Sequence, residues 1–539
     1  MNPNRLVRWL VISTVVLCAL LGGVYGQRVE ATTNVGDDSE VQASLSTFTK
    51  IYGVVEENYA DQVDPDKAVF GPPNSALGAI PGMLRTLDPH SNFFDPRAFA
   101  QLREEQEGKY YGVGMQIAPR PGKMGKLVTI VLLPMPGSPA FRAGLRPGDV
   151  IVRVDDTSTE DLNTTQVAAL LKGPKGTVVR VTVTREGADE PLVFTITRDE
   201  IARHSVDAAF HLKPGIGYIH IGSFNETTDD ELAEALKRLD ERSLQGLVLD
   251  FRGNPGGLLQ EAVQVADHFL EKNQLIVYHY GRHSREKRYY ATRGSSGNEY
   301  PIVVLINRPT ASAAEIVTGA LQDHDRALVM GEPSFGKGLV QTVYPLSEKA
   351  GLALTTARYY TPTGRLIQRE YADVSLYDYY YHPQSNPNSR GEVRLTDGGR
   401  EVYGGGGITP DIRVPEPEPT PVEERLVQRG AFFNFGQHYL AVHKTIPRDF
   451  EVTPEVIEEF KQFLEKEKIP LSAQDLQNNL DFVKKRIRLQ LITAIFGENE
   501  AAKLGIAEDP LVQKALDALP QAKELLAKAK KYMASKAVK

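Results

Sequence analysis

The chain has 539 residues, of which 41% are hydrophobic, so it is long enough for roughly three to four domains with sizeable cores. The net charge of −7 shows none of the basic bias that nucleic-acid binding usually brings. Cys18 is the one cysteine of the sequence. This excludes intrachain disulfides, and it excludes a cysteine nucleophile or cysteine-ligated zinc in the body of the chain.

An apolar stretch at residues 9–25 follows Arg5 and Arg8 and carries no charge. Its length is near the lower limit for a membrane span and slightly long for the core of a cleaved signal. Residues 24–26 make a weak cleavage site, which favours an uncleaved anchor over a removed signal for residues 1–30. The arginines then stay in the cytoplasm, and the body of the chain is expected in the cell envelope, membrane-anchored or periplasmic.

Residues 43–107 are predicted to form an N-terminal helical region with a loop around residues 71–75. The sequence LDPHS at 87–91 places His90 directly after a proline. His90 invites a Ser–His–Asp interpretation, but a lone histidine in this setting is more often structural.

The pattern changes to a β-domain at residues 108–200, with a helix at 165–171 and an alternating strand at 178–185. This segment looks like a PDZ domain, which captures the C-terminal carboxylate of a peptide on backbone N–H groups and adds the peptide to a sheet edge. A purely structural β-domain is the alternative. The resemblance implies a carboxylate-binding loop made of Gly112, Val113, Gly114 and Met115.

Residues 201–414 are predicted to form an α/β core. The apolar runs at 247–251 and 301–306 have the length and composition of buried strands. The turn at 254–257, Asn-Pro-Gly-Gly, would lie at the carboxyl end of the first of these strands, where α/β sheets tend to place functional sites. An ordinary strand-to-helix connection is the alternative.

Ser312 lies at a predicted helix start. The spacing of apolar residues indicates a helix from Ala313 to Gln322, after a turn that contains Pro309. The free N–H groups and the positive dipole end of such a helix would stabilise an oxyanion formed at Ser312. Ser312 and Glu315 also match a capping box, and the two roles are compatible.

Lys337 lies between two glycines, in a stretch that matches the first part of a phosphate-binding P-loop, 331–337. Gly338 stands where a serine or threonine should hold magnesium, and the residues that follow favour a strand where a P-loop needs a helix. Nucleotide binding is therefore disfavoured. A surface lysine and a catalytic base remain as alternatives, and the second requires apolar burial to lower a pKa of about 10.4.

A tyrosine-rich stretch at 371–400 is predicted to be a surface insertion, and its lack of basic charge argues against nucleic-acid stacking. Residues 415–421, PEPEPTP, make a stiff linker. Residues 422–539 are predicted to be mostly helical with lysine-rich amphipathic ends. A solvated helical face is favoured there, while a partner contact or a homo-oligomer is the alternative.

Several segments together resemble the carboxy-terminal processing proteases, also called tail-specific proteases. The PDZ-like segment is one of them, and the tyrosine-rich stretch departs from the compact family pattern. The other matching segments are LDPHSNFF at 87–94, LVLDFRGNPGG at 247–257, PTASAAEI at 309–316, FGKG at 335–338, ARYYTPTGRLIQ at 357–368 and GGGITPDI at 405–412.

Family members use a Ser–Lys pair assisted by a glutamine four residues after the lysine. The resemblance therefore assigns Ser312 as the nucleophile, Lys337 as the general base and Gln341 as the residue that orients the lysine. In a straight strand, residues four apart are roughly 13 Å apart. Direct contact between Gln341 and Lys337 would thus need a bend or bulge near Gly338.

An oxyanion hole requires two backbone donors. One expected donor is the N–H of Ala313, directly after the nucleophile. The other is expected from the glycines of the 254–257 turn, Gly256 or Gly257.

The predicted protein is a multidomain α/β chain with a membrane segment, a helical region, a PDZ domain, a protease core and C-terminal helices. The resemblance implies an exported serine endopeptidase that acts through an acyl-enzyme on substrates with free C-termini, without a metal or an organic cofactor. The alternative is a catalytically silent PDZ scaffold, against which Ser312, Lys337 and Gln341 argue together. The predicted segments are 1–30, 43–107, 108–200, 201–414 and 422–539.

Overall fold

The computed structural model describes residues 39–71, 77–122, 126–295, 297–372, 374–381 and 391–537. The predicted membrane segment at 1–30 lies outside these residues. Across the described ranges, none of the helices combines the length and the apolar character needed to cross a membrane. The chain divides between Ile80 and Pro81 into two compact units.

The first elements are mostly helical. Asp64 caps the second helix, since its carboxylate accepts from the N–H groups of Asp66 and Lys67. The elements are α1 (Ser39–Asn58), α2 (Pro65–Phe70), α3 (Ala79–Arg85), β1 (Asn92–Phe94), α4 (Pro96–Glu107) and β2 (Lys109–Gly112).

A six-stranded antiparallel sheet follows, with strand order β3–β4–β5–β7–β8 and β6 paired to β5. Val179, Val181 and Val183 alternate into its core, as the sequence of that strand predicts. Among the described strands, β3 has a partner on one side alone, and α6 lies near it. The elements are β3 (Met115–Pro121), β4 (Leu127–Pro134), α5 (Pro139–Ala143), β5 (Val150–Val154), β6 (Thr157–Ser158), α6 (Thr164–Leu171), β7 (Val178–Thr184), β8 (Leu192–Thr197) and β9 (Asp199–Ala202).

The core is a second six-stranded sheet, in which all neighbouring strands except the first pair are parallel. Its central strands are buried along their whole length, which explains their continuous apolar sequence. In chain order its strands and helices are β10 (Val206–Lys213), β11 (Ile216–Ile221), α7 (Thr228–Arg238), β12 (Gly246–Asp250), α8 (Leu259–Asp267), β15 (Ile302–Ile306), α9 (Ala313–Asp323), β16 (Ala327–Gly331) and β21 (Ile412–Arg413). Their order across the sheet is β10–β11–β12–β15–β16–β21.

A third sheet, mainly antiparallel, lies beside the core and carries the segment after Lys337. Its strands are β1, β13 (Leu275–Tyr280), β14 (Lys287–Tyr290), β17 (Leu339–Pro345) and β18 (Gly351–Tyr360). The tyrosine-rich stretch supplies the short helix α10 (Leu376–Tyr381), and a small hairpin follows as β19 (Val393–Leu395) and β20 (Glu401–Tyr403).

The C-terminal segment is helical, as predicted. Six of its helices pack around their own apolar cluster, which includes Phe432, Phe435 and Phe460. These helices are α11 (Pro421–Gln428), α12 (Ala431–His443), α13 (Pro454–Lys466), α14 (Ala473–Asn478), α15 (Leu480–Phe496) and α16 (Glu498–Ala507).

The last helix, α17 (Pro510–Ala537), belongs to the core. Helices α7, α8 and α9 cover one face of the parallel sheet, and α17 covers the other. Leu511 and Val512 are buried there against residues such as Val303. The expectation of a mainly solvated helical face is therefore wrong for α17, because its apolar stripe fills the second face of the sheet.

Candidate active site

Ser312 lies at the N-terminus of α9, directly after the turn that follows β15. Its backbone has φ 52° and ψ −113°, a conformation that residues other than glycine rarely adopt. Strained conformations of this kind cost of order 1–3 kcal/mol and cluster at functional sites. The side chain of Ser312 is half-buried, so the hydroxyl lies at a site that a substrate can approach.

The carboxylate of Glu315 joins the backbone of Ser312 to the backbone of Lys337. Its Oε2 accepts from the N–H of Ser312 at 2.8 Å and from the N–H of Lys337 at 2.9 Å. Its Oε1 accepts from the N–H of Gly336 at 2.7 Å and from the hydroxyl of Ser334 at 2.5 Å. The structure thus brings the two predicted catalytic segments together through one fully buried side chain.

Sequence reasoning gave Glu315 a capping role, and its bond to Ser312 is the expected half of a capping box. The link to the lysine segment was missed. Burial raises the pKa of Glu315 to about 7, against the lowering effect of its hydrogen bonds. Its four recorded partners all donate to it, which is the pattern of an ionised carboxylate.

Tyr359 of β18 provides a second link between the same segments. Its hydroxyl contacts the carbonyl oxygen of Ser312 at 3.1 Å and also the carbonyl oxygen of Lys337. Burial raises the pKa of Tyr359 well above its usual value, so the hydroxyl stays protonated as a donor. The backbone positions of Ser312 and Lys337 are therefore fixed from two sides.

Lys337 is half-buried, and its surroundings favour the uncharged amine more than water does. Burial lowers its pKa, and the carboxylates of Glu315 and Asp88 oppose this shift. Within the part of the chain that the structure describes, its Nζ makes no hydrogen bond and no ion pair. A neutral Nζ without a fixed partner can accept a proton.

The 254–257 turn lies against the start of α9. A Cβ added to Gly256 would lie 2.7 Å from Cβ of Ser312 and 2.9 Å from N of Ala313, so this contact requires glycine. The N–H of Gly256 donates to Oδ1 of Asn254 at 2.8 Å and is therefore occupied. Over the described residues, the N–H groups of Gly257 and Ala313 have no recorded acceptor. Of the two glycines named from the sequence, Gly257 thus has the free donor.

Gln341 lies on β17 and makes no hydrogen bond to the described atoms of the lysine. Its Nε2 donates to the hydroxyl of Thr355 at 3.2 Å, and no hydrogen bond to Lys337 occurs among the described residues. A register shift between Val340 and Gln341 shows that the strand is irregular at this position. The role of Gln341 in orienting the lysine stays a prediction.

His90 is linked to the tyrosine-rich segment. Its Nε2 lies 3.0 Å from the hydroxyl of Tyr379, and burial lowers the pKa of His90 to about 4. The carboxylate of Asp88 accepts from the N–H groups of His90 and Ser91 and shapes the loop. A Ser–His–Asp arrangement is not formed, because Asp88 contacts the backbone of His90 and leaves the ring to Tyr379.

The expectation of a surface insertion is wrong for part of residues 371–400. Tyr379 is 2% exposed, because its ring packs against Phe335 and Arg369. Residues 382–390 lie outside the described part.

The predicted carboxylate-binding loop connects β2, which ends at Gly112, to β3, which begins at Met115. Val113 and Gly114 are buried, and neither N–H has a recorded acceptor in the described ranges. Gly114 has φ 74°, and a Cβ there would lie 2.5 Å from Cβ of Ser138. The loop therefore places two unpaired donors at the head of an edge strand.

No group of three or more His, Asp or Glu side chains within the described residues is arranged to hold a metal ion.

Comparison with known proteins matches residues 215–375 to "Peptidase family S41", residues 130–185 to "PDZ domain", and residues 422–474 to "Probable PDZ-protease, C-terminal helical domain". These matches define a PDZ-containing peptidase of family S41.

The chain is 37% identical to the carboxy-terminal-processing protease of Bartonella bacilliformis over 341 residues, which are 62% of this chain and 75% of the relative. It is 33% identical to the carboxy-terminal processing protease CtpB of Bacillus subtilis over 336 residues, 62% of this chain and 67% of the relative. A solved photosystem II D1 C-terminal processing protease is 32% identical to this chain. The match covers 62% of this chain and 80% of the solved chain, with a TM-score of 0.34. The chain belongs to the carboxy-terminal processing protease family.

Proposed function

We propose that the chain is a serine endopeptidase in which Ser312 and Lys337 form the catalytic pair. The observation that carries this proposal is the single Glu315 oxygen that accepts hydrogen bonds from the backbones of both residues. Such a connection fixes the nucleophile relative to the base, and precise placement is worth several kcal/mol of a reaction barrier.

In the proposed reaction, Oγ of Ser312 attacks the carbonyl carbon of a peptide bond while Nζ of Lys337 accepts its proton. The oxyanion of the tetrahedral intermediate is stabilised by the N–H groups of Ala313 and Gly257, near the positive end of α9. Lys337 then gives its proton to the leaving amine, and an ester of Ser312 remains.

Deacylation uses the same groups in reverse order. Lys337, again neutral, takes a proton from water, and the resulting hydroxide attacks the ester carbonyl. The proton of Lys337 then passes to Oγ of Ser312 as the C–O bond breaks, and the product leaves as a carboxylic acid that gives its proton to solvent. The lowering of the Lys337 pKa by burial supports both steps, because the lysine must be neutral at the start of each.

The PDZ domain is proposed to select substrates with free C-termini. The unpaired N–H groups of Val113 and Gly114 would bind the terminal carboxylate, and the peptide would pair with the edge strand β3 beside α6.

Cleavage of an unstructured protein tests this function. The chain without residues 1–30 is incubated with the substrate in two forms, one with a free and one with an amidated C-terminus. The wild type is expected to cleave the free form faster, about 10-fold or more. Ser312→Ala is expected to cleave neither, while Ser243→Ala, which changes an exposed serine outside the site, should match the wild type.

The outcomes separate the parts of the proposal. Cleavage by Ser312→Ala at the wild-type rate would show that Ser312 is not the nucleophile. Equal cleavage of the two substrate forms would show that the enzyme does not recognise the free C-terminus. Binding of the free C-terminus without cleavage by the wild type would favour the silent scaffold.

The proposal extends to location. Arg5 and Arg8 before the uncharged stretch at 9–25 support export with a retained membrane anchor. In fractionated cells, the full chain is expected in the membrane fraction, and a version without residues 1–30 in the soluble fraction. Recovery of both versions in the soluble fraction would contradict the anchor.

A further inference from the structure

The tyrosine-rich helix α10 lies against the lysine segment and has no part in the reaction described above. Two of its four tyrosines, Tyr377 and Tyr381, are more than 60% exposed, whereas Tyr379 is buried. A buried tyrosine beside exposed ones indicates a specific contact made by its ring and its hydroxyl.

The hydroxyl of Tyr379 connects two loops of the site. It lies 3.0 Å from Nε2 of His90 and accepts from Nε2 of Gln368 at 3.2 Å. Oε1 of the same Gln368 side chain accepts from the N–H of Gly338 at 2.8 Å. One amide thus joins Tyr379 to the residue directly after Lys337.

The segment before Lys337 is held in the same way. The backbone N–H of Arg369 donates to the carbonyl oxygen of Gly336 at 2.8 Å. The guanidinium of Arg369 contacts the rings of both Phe335 and Tyr379, 4.3 and 4.6 Å from their centres. Both glycines that flank Lys337 are therefore attached to residues that contact Tyr379.

The neighbouring Tyr380 also contacts the loop that contains His90. The hydroxyl of Tyr380 donates to the carbonyl oxygen of Pro89 at 2.9 Å, and its ring lies 6.0 Å from that of Phe335. The rings of His90 and Phe335 also contact each other, with their centres 6.4 Å apart. Helix α10 thus packs on the two loops at once and closes an aromatic cluster beside Lys337.

The charges around Lys337 do not account for the lowered pKa of its amine. Titratable groups lie around Lys337 or its flanking residues on every packed element: Glu315 of α9, Asp88 and His90 of the loop before β1, Tyr359 of β18, Arg369 of the segment after β18, and Tyr379 and Tyr380 of α10. The two carboxylates favour the protonated lysine. His90 is neutral because burial lowers its pKa, and the tyrosines are neutral because burial raises theirs. The largest effect on the pKa of Lys337 is the removal of water from its amine, which lowers that pKa.

We propose that Tyr379 is a positioning residue for Lys337: its hydroxyl bonds to His90 and Gln368 hold the two loops closed and keep water away from the lysine amine. This inference rests on the proposed Ser312–Lys337 reaction. It gives the tyrosine-rich segment a role in the chemistry, although no atom of Tyr379 contacts a reacting group.

The test is the pH dependence of kcat/KM for peptide cleavage by the chain without residues 1–30. The wild-type rate is expected to rise with pH to a plateau, with a midpoint below 10.5. Tyr379→Phe keeps the ring and removes both hydrogen bonds. Its midpoint is expected to move up by about 0.5–1 pH unit, because water then stabilises the protonated lysine. Tyr381→Phe removes an exposed hydroxyl of the same helix and should match the wild type.

Two results would overturn the proposal. One is a Tyr379→Phe profile that coincides with the wild type, and the other is an equal loss of rate at every pH, which would indicate a structural role alone. If Tyr379→Phe does not fold, Gln368→Met breaks the same connection and is expected to give the same upward shift. Failure of the Ser312–Lys337 reaction is recognised separately, since Ser312→Ala would then keep its activity.

Discussion

Lys337→Met is expected to lose about 10³-fold or more of kcat/KM, because no base then accepts the proton of Ser312. Methionine has nearly the length of lysine and fills the same half-buried space. It also removes an amine whose charged form is disfavoured by burial, so the melting temperature is expected to stay the same or rise. Peptide cleavage and thermal unfolding of the same preparation measure the two effects.

A matched control for this change is Lys514→Met, which replaces an exposed lysine of α17 and should leave the rate unchanged. Retention of more than a tenth of the wild-type rate by Lys337→Met would show that the lysine is not the base. Unfolding of Lys337→Met would instead assign Lys337 a structural role.

Glu315→Ala is expected to affect stability and activity together. The change leaves four donors without their acceptor, the buried ones of Ser334 and Gly336 and the partly buried ones of Ser312 and Lys337. Loss of a buried acceptor with several partners is expected to lower the free energy of unfolding by about 3–5 kcal/mol. The nucleophile and the lysine also lose their common attachment, so the remaining folded protein is expected to be about 10²-fold slower or worse.

Denaturant unfolding followed by cleavage assays under folding conditions measures both changes. Glu234→Ala removes an exposed glutamate of α7 and is expected to cost less than about 0.5 kcal/mol. A stable but inactive Glu315→Ala would mean that the carboxylate serves the chemistry without holding the fold. A fully active variant would show that Ser312 and Lys337 do not need this connection.

Local patterns were sufficient to predict the strands and the helix that present Ser312. The run at 301–306 and the spacing after Ala313 depend on neighbouring residues alone, and the structure has a strand and a helix there. The rejection of a P-loop at Lys337 also depended on local signs, Gly338 and the β-branched residues that became β17. Motif resemblance then supplied the roles that no local pattern contains.

Contacts between distant segments account for what could not be predicted. The four donors to Glu315 converge from two segments about twenty residues apart, and the bond between His90 and Tyr379 joins residues 289 positions apart. The sequence of α10 resembles that of an exposed insertion because three of its tyrosines are in fact at least partly exposed. The hydrogen bond of Gln341 to Thr355 could not be predicted either, because it depends on the register between β17 and β18.

The packing of α17 on the parallel sheet has a consequence for how the chain folds during its synthesis. Strands β12, β15 and β16 leave the ribosome long before residue 510 does. One apolar face of the sheet therefore stays exposed until α17 has been synthesised. Contacts so distant in sequence slow folding, and an apolar surface left open in the meantime invites aggregation. A chaperone that shields this surface until α17 is made would therefore assist the folding of the nascent chain.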